Sequence, residues 1–260
     1  MESYLSVDKR EGGYVVVSIA REPVNSMNLD LWQQLSDNLD MLEKDKSVRG
    51  VIYRSGLKKD VFTAGNDILE LFAPKSSPER FRDFWTVQNN FFPRLYRSRL
   101  VTVAAIRGAC PAGGCALALC CDFRVMTDVG SIGLNEVALG IPVPPFWAQL
   151  MQRTVGQRIA EKLLPFGILA NPEEALRYGI VDQLVSTAQL DSAAETVMTQ
   201  LLKVADSPRH ITKGALRDAW SRQWEEIVEK EAETTWSLLS HPKSVASLEA
   251  VIARLSKPKT

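Results

Sequence analysis

One stretch constrains the rest of this chain more than any other: Arg107–Gly140, reading RGACPAGGCALALCCDFRVMTDVGSIGLNEVALG. It continues an apolar strand, Val101–Ile106, into a tight Pro111-Ala112-Gly113-Gly114 turn. The run Cys115–Cys121 then reads as a buried helix, because it is rich in Ala and Leu and follows a glycine turn. Glycines at such a turn let backbone approach a ligand closely. The first N–H groups of a helix have no acceptor inside it and sit at its positive end, so they suit an oxygen that gains negative charge. About twenty residues on stands Glu136, the only carboxylate in the largely apolar Gly130–Leu150. An anion-stabilising turn and an isolated acid are the two parts that proton transfer beside a carbonyl requires.

The pattern around this stretch is mixed α/β. Leu5–Lys9 and Tyr14–Ile19 read as a hairpin turning near Gly12-Gly13. Leu31, Leu35, Leu39 and Leu42 put a helical period on Asn28–Lys44, with Asn28 or Ser26 as its cap. Val48–Arg54 and Val61-Phe62 read as short strands, and Leu69–Lys75 as a short helix. Ser76–Ser98 reads as a long aromatic helix started by Pro78 and Glu79, which Pro93 is expected to kink or divide. Most of its aromatic residues suit a core, and part of that face suits the lining of an apolar channel.

Downstream, Phe123–Met126 and Ile180–Val185 read as strands and Ser131–Leu134 as an extended piece. Ile141–Pro145, with three prolines, must be a loop. Helices are expected over Phe146–Arg153, Gly156–Leu164, and from Pro172 after Asn171 to Gly179. From Thr187 on the chain reads as helical, with breaks at Pro208 and Pro242, so the division expected is 1–186 and 187–260.

Of the 260 residues, 31 are basic and 31 acidic, which favours neither nucleic acid nor an anionic membrane as a general partner. No apolar run is long enough to span a bilayer. MESYLSVDKREGG lacks a signal-peptide core, and SKPKT is not a peroxisomal address. Cys110, Cys115, Cys120 and Cys121 lack paired metal-ligand spacing, and His210 and His241 are far from them, so no metal is expected. They read as small buried residues in a reducing compartment.

Three segments, Phe62-Thr63-Ala64-Gly65-Asn66-Asp67, Gly108–Asp122 and Gly130–Gly140, in this order and spacing, resemble the crotonase superfamily, the enoyl-CoA hydratase/isomerase family. The resemblance covers nearly the whole chain. It implies an α/β crotonase-type spiral of ββα units with a helical C-terminal region that builds homotrimers. It also implies an acyl-CoA thioester as the bound partner, with coenzyme A as part of the substrate and no separate cofactor. The thioester oxygen would lie between the backbone N–H groups of Asn66 and Gly113. Ala64, Gly65, Asn66, Asp67, Pro111, Gly113, Gly114, Asn135, Phe146 and Trp147 are the candidate substrate-binding residues.

Hydratases of this family carry two glutamates. One matches Glu136, but Ala116 stands where the other is expected. Retaining only Glu136 resembles the Δ3,Δ2-enoyl-CoA isomerases, and the phrases around Gly113 and Glu136 resemble their mitochondrial form. The implied activity converts a cis- or trans-3-enoyl-CoA to a trans-2-enoyl-CoA in β-oxidation of unsaturated fatty acids, with Glu136 moving the proton from C2 to C4. The mitochondrial matrix is the implied compartment, with cytoplasm and peroxisome still open. Alternatives are another reaction of the family, thioester hydrolysis or weak hydration, or acyl-CoA binding without catalysis.

Several residues keep two readings. Asn135 hydrogen-bonds the thioester or shapes its turn. Asp67 caps a helix or meets substrate, and Trp147 closes the acyl pocket or packs in the core. Lys213 meets a CoA phosphate or is a solvated helix residue. Asn66 departs from a leucine usual in the mitochondrial pattern, and its backbone role survives that change. Leu134, Val137, Ile141 and Phe146 are expected to supply the apolar setting of Glu136.

Overall fold

A computed structural model describes residues 2–255. The SKPKT end and the last residues of the expected 187–260 region therefore lie outside the described residues.

The chain opens with the expected hairpin, β1 (Leu5–Arg10) and β2 (Tyr14–Ile19). Helix α1 (Leu29–Lys44) follows, its first turn capped by the Asn28 side chain, which accepts from the Leu31 N–H. β3 (Gly50–Ser55) returns parallel to β2. Next come α2 (Ile68–Leu71), α3 (Pro78–Arg97), β4 (Val101–Ile106), β5 (Cys110–Pro111) and α4 (Gly113–Cys120). β6 (Phe123–Thr127) and β7 (Ile132–Gly133) lead to a 3-10 turn, Glu136–Leu139. The rest is α5 (Pro145–Val155), α6 (Gln157–Leu163), α7 (Pro172–Tyr178), β8 (Gln183–Val185), α8 (Leu190–Leu201), α9 (Asp206–Leu239) and α10 (Pro242–Leu255).

Six strands form one sheet in the order β1-β2-β3-β4-β6-β8, parallel except for the opening hairpin. Alternate residues face opposite sides. Val15, Val17, Val51 and Tyr53 enter the larger core with Trp32 of α1 and Phe91 of α3. Tyr14, Val16, Ile52 and Val103 enter a second core with Ala194, Val197 and Met198 of α8. Both faces are thus covered, which is why these strands read as unbroken apolar runs. The first helix beyond residue 187 is therefore part of the sheet's own packing. β5 and β7 form a separate parallel pair, Cys110 beside Ile132 and Pro111 beside Gly133.

One local expectation changes, and another is narrowed. Val61-Phe62 is not a strand: Val61 makes one isolated bridge to Ala109, and the Phe62 N–H donates to the Ala109 carbonyl at 2.9 Å. Pro93 does not divide α3, which runs unbroken through it. A proline inside a helix costs about 3 kcal/mol, but Phe91, Phe92 and Leu95 around it are fully buried. Each such side chain contributes roughly 1.5–3 kcal/mol on burial, so packing outweighs the lost hydrogen bond. Pro208 lies in the first turn of α9 and Pro242 starts α10, where proline is tolerated.

Candidate active site

Two loops meet at the site. In the first, Thr63 is the clip: its Oγ1 donates to the Asn25 carbonyl (2.7 Å) and accepts from the Gly65 N–H (2.9 Å). Buried Asn25 in turn donates through Nδ2 to the carbonyls of Ile19 and Phe62. The Ala64 N–H donates to the Val24 carbonyl, and the Asp67 N–H to that of Met27. Among the described residues the Asn66 N–H between them has no backbone acceptor.

The second loop is β5 and the start of α4. The Cys110 N–H donates to the Ser131 carbonyl and the Ala112 N–H to that of Gly133, both at 2.8 Å. Ala112 has φ +51° and ψ −125°, a conformation that costs a non-glycine residue about 1–3 kcal/mol. That reversal delivers Gly113 as the first residue of α4, and its N–H also has no backbone acceptor among the described residues.

The loops touch. A Cβ on Gly65, where φ is +85°, would stand 3.1 Å from the Pro111 carbonyl oxygen. A Cβ on Gly113 would stand 2.6 Å from Asn66 Oδ1. That oxygen accepts from Gln88 Nε2 (2.6 Å) and Trp32 Nε1 (3.2 Å), while Asn66 Nδ2 donates to Gln88 Oε1 (3.2 Å). The polar side chain at residue 66 thus has partners on both α1 and α3.

A cavity of about 260 Å³ opens against these loops. Ala64, Asn66, Pro111 and Ala112 line it on one side, and Asn135 and Glu136 on another. Pairing of β7 with β5 places Glu136 here, since its turn begins three residues after Gly133. Glu136 is 4% exposed. Both carboxylate oxygens and Asn135 Oδ1 are buried without a hydrogen-bond partner among the described residues. Burial pushes the Glu136 carboxyl up to about 7. A buried unpaired acid is costly to the fold, and such groups concentrate where chemistry is done.

Of the other expected residues, Trp147 lines the cavity, while its Nε1 donates to Asn89 Oδ1 (2.9 Å). Gly65 and Gly113 do not line the cavity, although their neighbours Ala64, Asn66 and Ala112 do. Three more candidates stand away from the lining. Asp67 caps α2 and pairs with Arg21 at 3.1 Å. Gly114 packs on Thr63, where a Cβ would meet Cγ2 at 2.2 Å. Phe146 stacks on Trp224 and packs on Trp220. Around Glu136, Ile141 lines the cavity and Leu134 is buried, but Val137 is 40% exposed and turns away. Lys213 is held by Asp122 (2.8 Å) and the Leu100 carbonyl (3.0 Å), with Arg217 on the other oxygen of Asp122 (2.7 Å), so it is not a free cation. All four cysteines are buried and unpaired, and burial raises each thiol.

The far wall was not legible in the sequence. Trp85 of α3, Thr235, Leu238 and Leu239 of α9, and Val251, Arg254 and Leu255 of α10 also line the cavity. More than a hundred residues separate Glu136 from the end of α10, and no local pattern links them. The aromatic face of α3 was the one available signal. Behind Trp85 lies a second buried acid, Glu231, which accepts from Trp85 Nε1 at 3.3 Å and is pushed up to about 7 by burial.

Comparison with known proteins bears on this arrangement. Residues 9–257 match the family model described as enoyl-CoA hydratase/isomerase. The mitochondrial enoyl-CoA delta isomerase 1 of Mus musculus is 40% identical over 250 residues, covering 95% of this chain and 85% of its own length. The Homo sapiens protein of that name is 39% identical over 250 residues, covering 95% and 82%. The crystal structure of human mitochondrial Δ3-Δ2-enoyl-CoA isomerase superposes with a TM-score of 0.95 at 37% identity, over 99% of this chain and 100% of that one. An enoyl-CoA hydratase from Bacillus halodurans shares the fold at 23% identity, with a TM-score of 0.86 over 95% of this chain and 100% of that one.

Proposed function

The chain belongs to the enoyl-CoA hydratase/isomerase family, and on that premise we propose that it is a Δ3,Δ2-enoyl-CoA isomerase in which Glu136 is the single acid–base group. Its fold is the α/β crotonase type, a spiral core followed by C-terminal helices. The observation that carries the proposal is one buried carboxylate on the wall of a cavity that two loops adjoin, with both its oxygens and the loops' Asn66 and Gly113 N–H groups lacking partners among the described residues.

In this reading the thioester oxygen of a 3-enoyl-CoA accepts from the N–H groups of Asn66 and Gly113. The ionised Glu136 removes a proton from C2, the C2–H electron pair moves toward the carbonyl, and a dienolate forms. The protonated carboxyl then returns the proton to C4, leaving the double bond between C2 and C3. The two carbons are two bonds apart on one chain, so a small swing of the acid serves both. Each backbone donor acts where charge develops, and losing one typically costs about 3–4 kcal/mol.

Two features support isomerisation over hydration. Ala116, at the place of the second hydratase glutamate, is fully buried in α4 and offers no acid to hold water. The cavity wall is largely apolar, which protects a dienolate from side reactions.

The experiment is conversion of 3-hexenoyl-CoA to 2-hexenoyl-CoA by purified protein, with Glu136→Gln beside it. Turnover that the variant loses supports the reading. Unchanged turnover in the variant overturns the mechanism, and free CoA release or uptake of solvent oxygen would assign a different reaction. Homotrimer assembly through the 187–260 region and a place in the mitochondrial matrix belong to the same proposal. Sedimentation at several concentrations tests the first, and cell fractionation the second.

A further inference from the structure

The side-chain amides of Asn66 and Gln88 have no part in the chemistry just described, yet they pack on Gly113, the residue that carries its second backbone donor. Gln88 is fully buried on α3, one turn from the cavity-lining Trp85. A buried amide must satisfy both its ends or destabilise the fold. Gln88 does so by reciprocal bonds to one partner, Asn66, at 2.6 and 3.2 Å. Trp32 Nε1 adds a third bond, at 3.2 Å, to the Asn66 oxygen. This fixes the Asn66 side chain from α1 and α3 at once.

What that side chain rests on gives the network its consequence. Asn66 Oδ1 stands 2.6 Å, and Gln88 Nε2 3.1 Å, from the place a Cβ on Gly113 would occupy. The Asn66 carboxamide is therefore a spacer lying directly on Gly113. It separates the residue carrying one donor N–H from the residue carrying the other. A misplacement of about 1 Å at a reacting centre can cost roughly 100-fold in rate, so the rigidity of this spacer bears on catalysis.

We propose that Gln88 is a positioning residue for the thioester-oxygen site: by locking the Asn66 carboxamide against Gly113, it sets the separation of the Asn66 and Gly113 N–H groups. This deepens the isomerase reading and rests on it for the identity of the ligand. Gln88 touches no substrate in this scheme. Its effect is confined to how strongly the bound carbonyl is polarised.

The test uses Gln88→Leu and the milder Gln88→Met, with the paired variant Asn66→Leu/Gln88→Leu, which removes both amides and leaves neither unpaired. kcat and KM for 3-hexenoyl-CoA are measured, together with the carbonyl stretch of bound 2-hexenoyl-CoA by Raman difference spectroscopy. The expected result is a kcat lowered roughly 10- to 100-fold in the single variants with KM within about twofold, and a carbonyl stretch shifted toward its value in water. A merely structural role would lower the melting temperature and leave the stretch of the folded fraction unchanged. Wild-type kcat and stretch in a folded Gln88→Met protein would overturn the proposal. Absence of isomerase turnover in the wild type would instead sink the reaction assignment, and the carbonyl stretch would still test the spacer.

Discussion

Trp85 and Trp147 stand with their rings parallel, 4° apart in plane and 6.4 Å between centroids, and both line the cavity that holds Glu136. Each is tied by its indole nitrogen, Trp85 to Glu231 and Trp147 to Asn89. The pair forms a rigid wall built by two helices, α3 and α5. Replacing Trp147 by Leu is expected to lengthen the space for an acyl tail. The kcat/KM ratio of long-chain to short-chain 3-enoyl-CoA should then rise roughly 10-fold, as pocket-size changes commonly give. Competition assays across chain lengths read this directly.

Glu136→Gln is expected to lower kcat by roughly 10²–10⁴-fold, the usual contribution of a general base, with thioester binding retained. In the wild type the carboxyl titrates at about 7, and the ionised form starts the reaction. Activity should therefore rise with pH through about 7 and level off above it. Glu231 titrates in the same range, so Glu231→Gln is the control. That variant should keep the inflection, because Glu231 lies behind Trp85. A pH profile of kcat/KM for both proteins checks this.

The same acid makes stability depend on pH. Its folded-state value of about 7 lies above its ordinary 4.5. Between those values the unfolded chain releases the proton and the folded chain keeps it, so folding weakens as pH rises. At about 1.4 kcal/mol per pH unit, the cost approaches roughly 3 kcal/mol above pH 7. Urea denaturation of Glu136→Gln and wild type at pH 4.5, 6 and 8 should show the variant gaining on the wild type by about that amount. A constant difference across pH would contradict it.

Gly113→Ala is expected to lower kcat about 100-fold or more. The new Cβ would stand 2.6 Å from Asn66 Oδ1, so either the carboxamide held by Gln88 and Trp32 or Gly113 with its N–H must shift. Because the Asn66 carboxamide itself sets the donor separation, Asn66→Ala in the same chain should not restore the lost turnover. Steady-state kinetics of the two variants give the comparison.

Asp122 receives Lys213 at 2.8 Å, Arg217 at 2.7 Å and the Thr102 N–H at 2.9 Å. Replacing it by Ala leaves two cations facing each other without their anion, which should cost about 3 kcal/mol. The two cations hold the Asp122 carboxyl below its ordinary 3.8. Its contribution is therefore present above that value and fades as pH falls below it. Denaturant midpoints of Asp122→Ala at neutral pH provide the measurement.

Local chemistry made much of the fold readable. The hairpin, the strand Val101–Ile106 and the capped start of α1 follow from apolar periodicity and from the preference of Asn for a cap. Asn171, Pro172 and Gly179 bracket α7 with a capping box and a left-handed end. Pro93 does not divide α3, because the burial that outweighs a proline's local cost belongs to contacts with distant helices.

By itself the sequence determined the chemistry available: one isolated acid at Glu136, glycine turns at Gly65 and Gly113, and no second acid at Ala116. It also carried the family's order of motifs. Only the tertiary structure decided that Asp67, Gly114 and Phe146 face other partners, and that helices α9 and α10 close the cavity. It alone joined Asn66 to Gln88 and Trp32, and brought Glu136 beside Ala112 through the β5–β7 pair. The physical reason is range. Caps, turns and periodicity act within about four residues, whereas burial and desolvation depend on whatever distant segment arrives to exclude water.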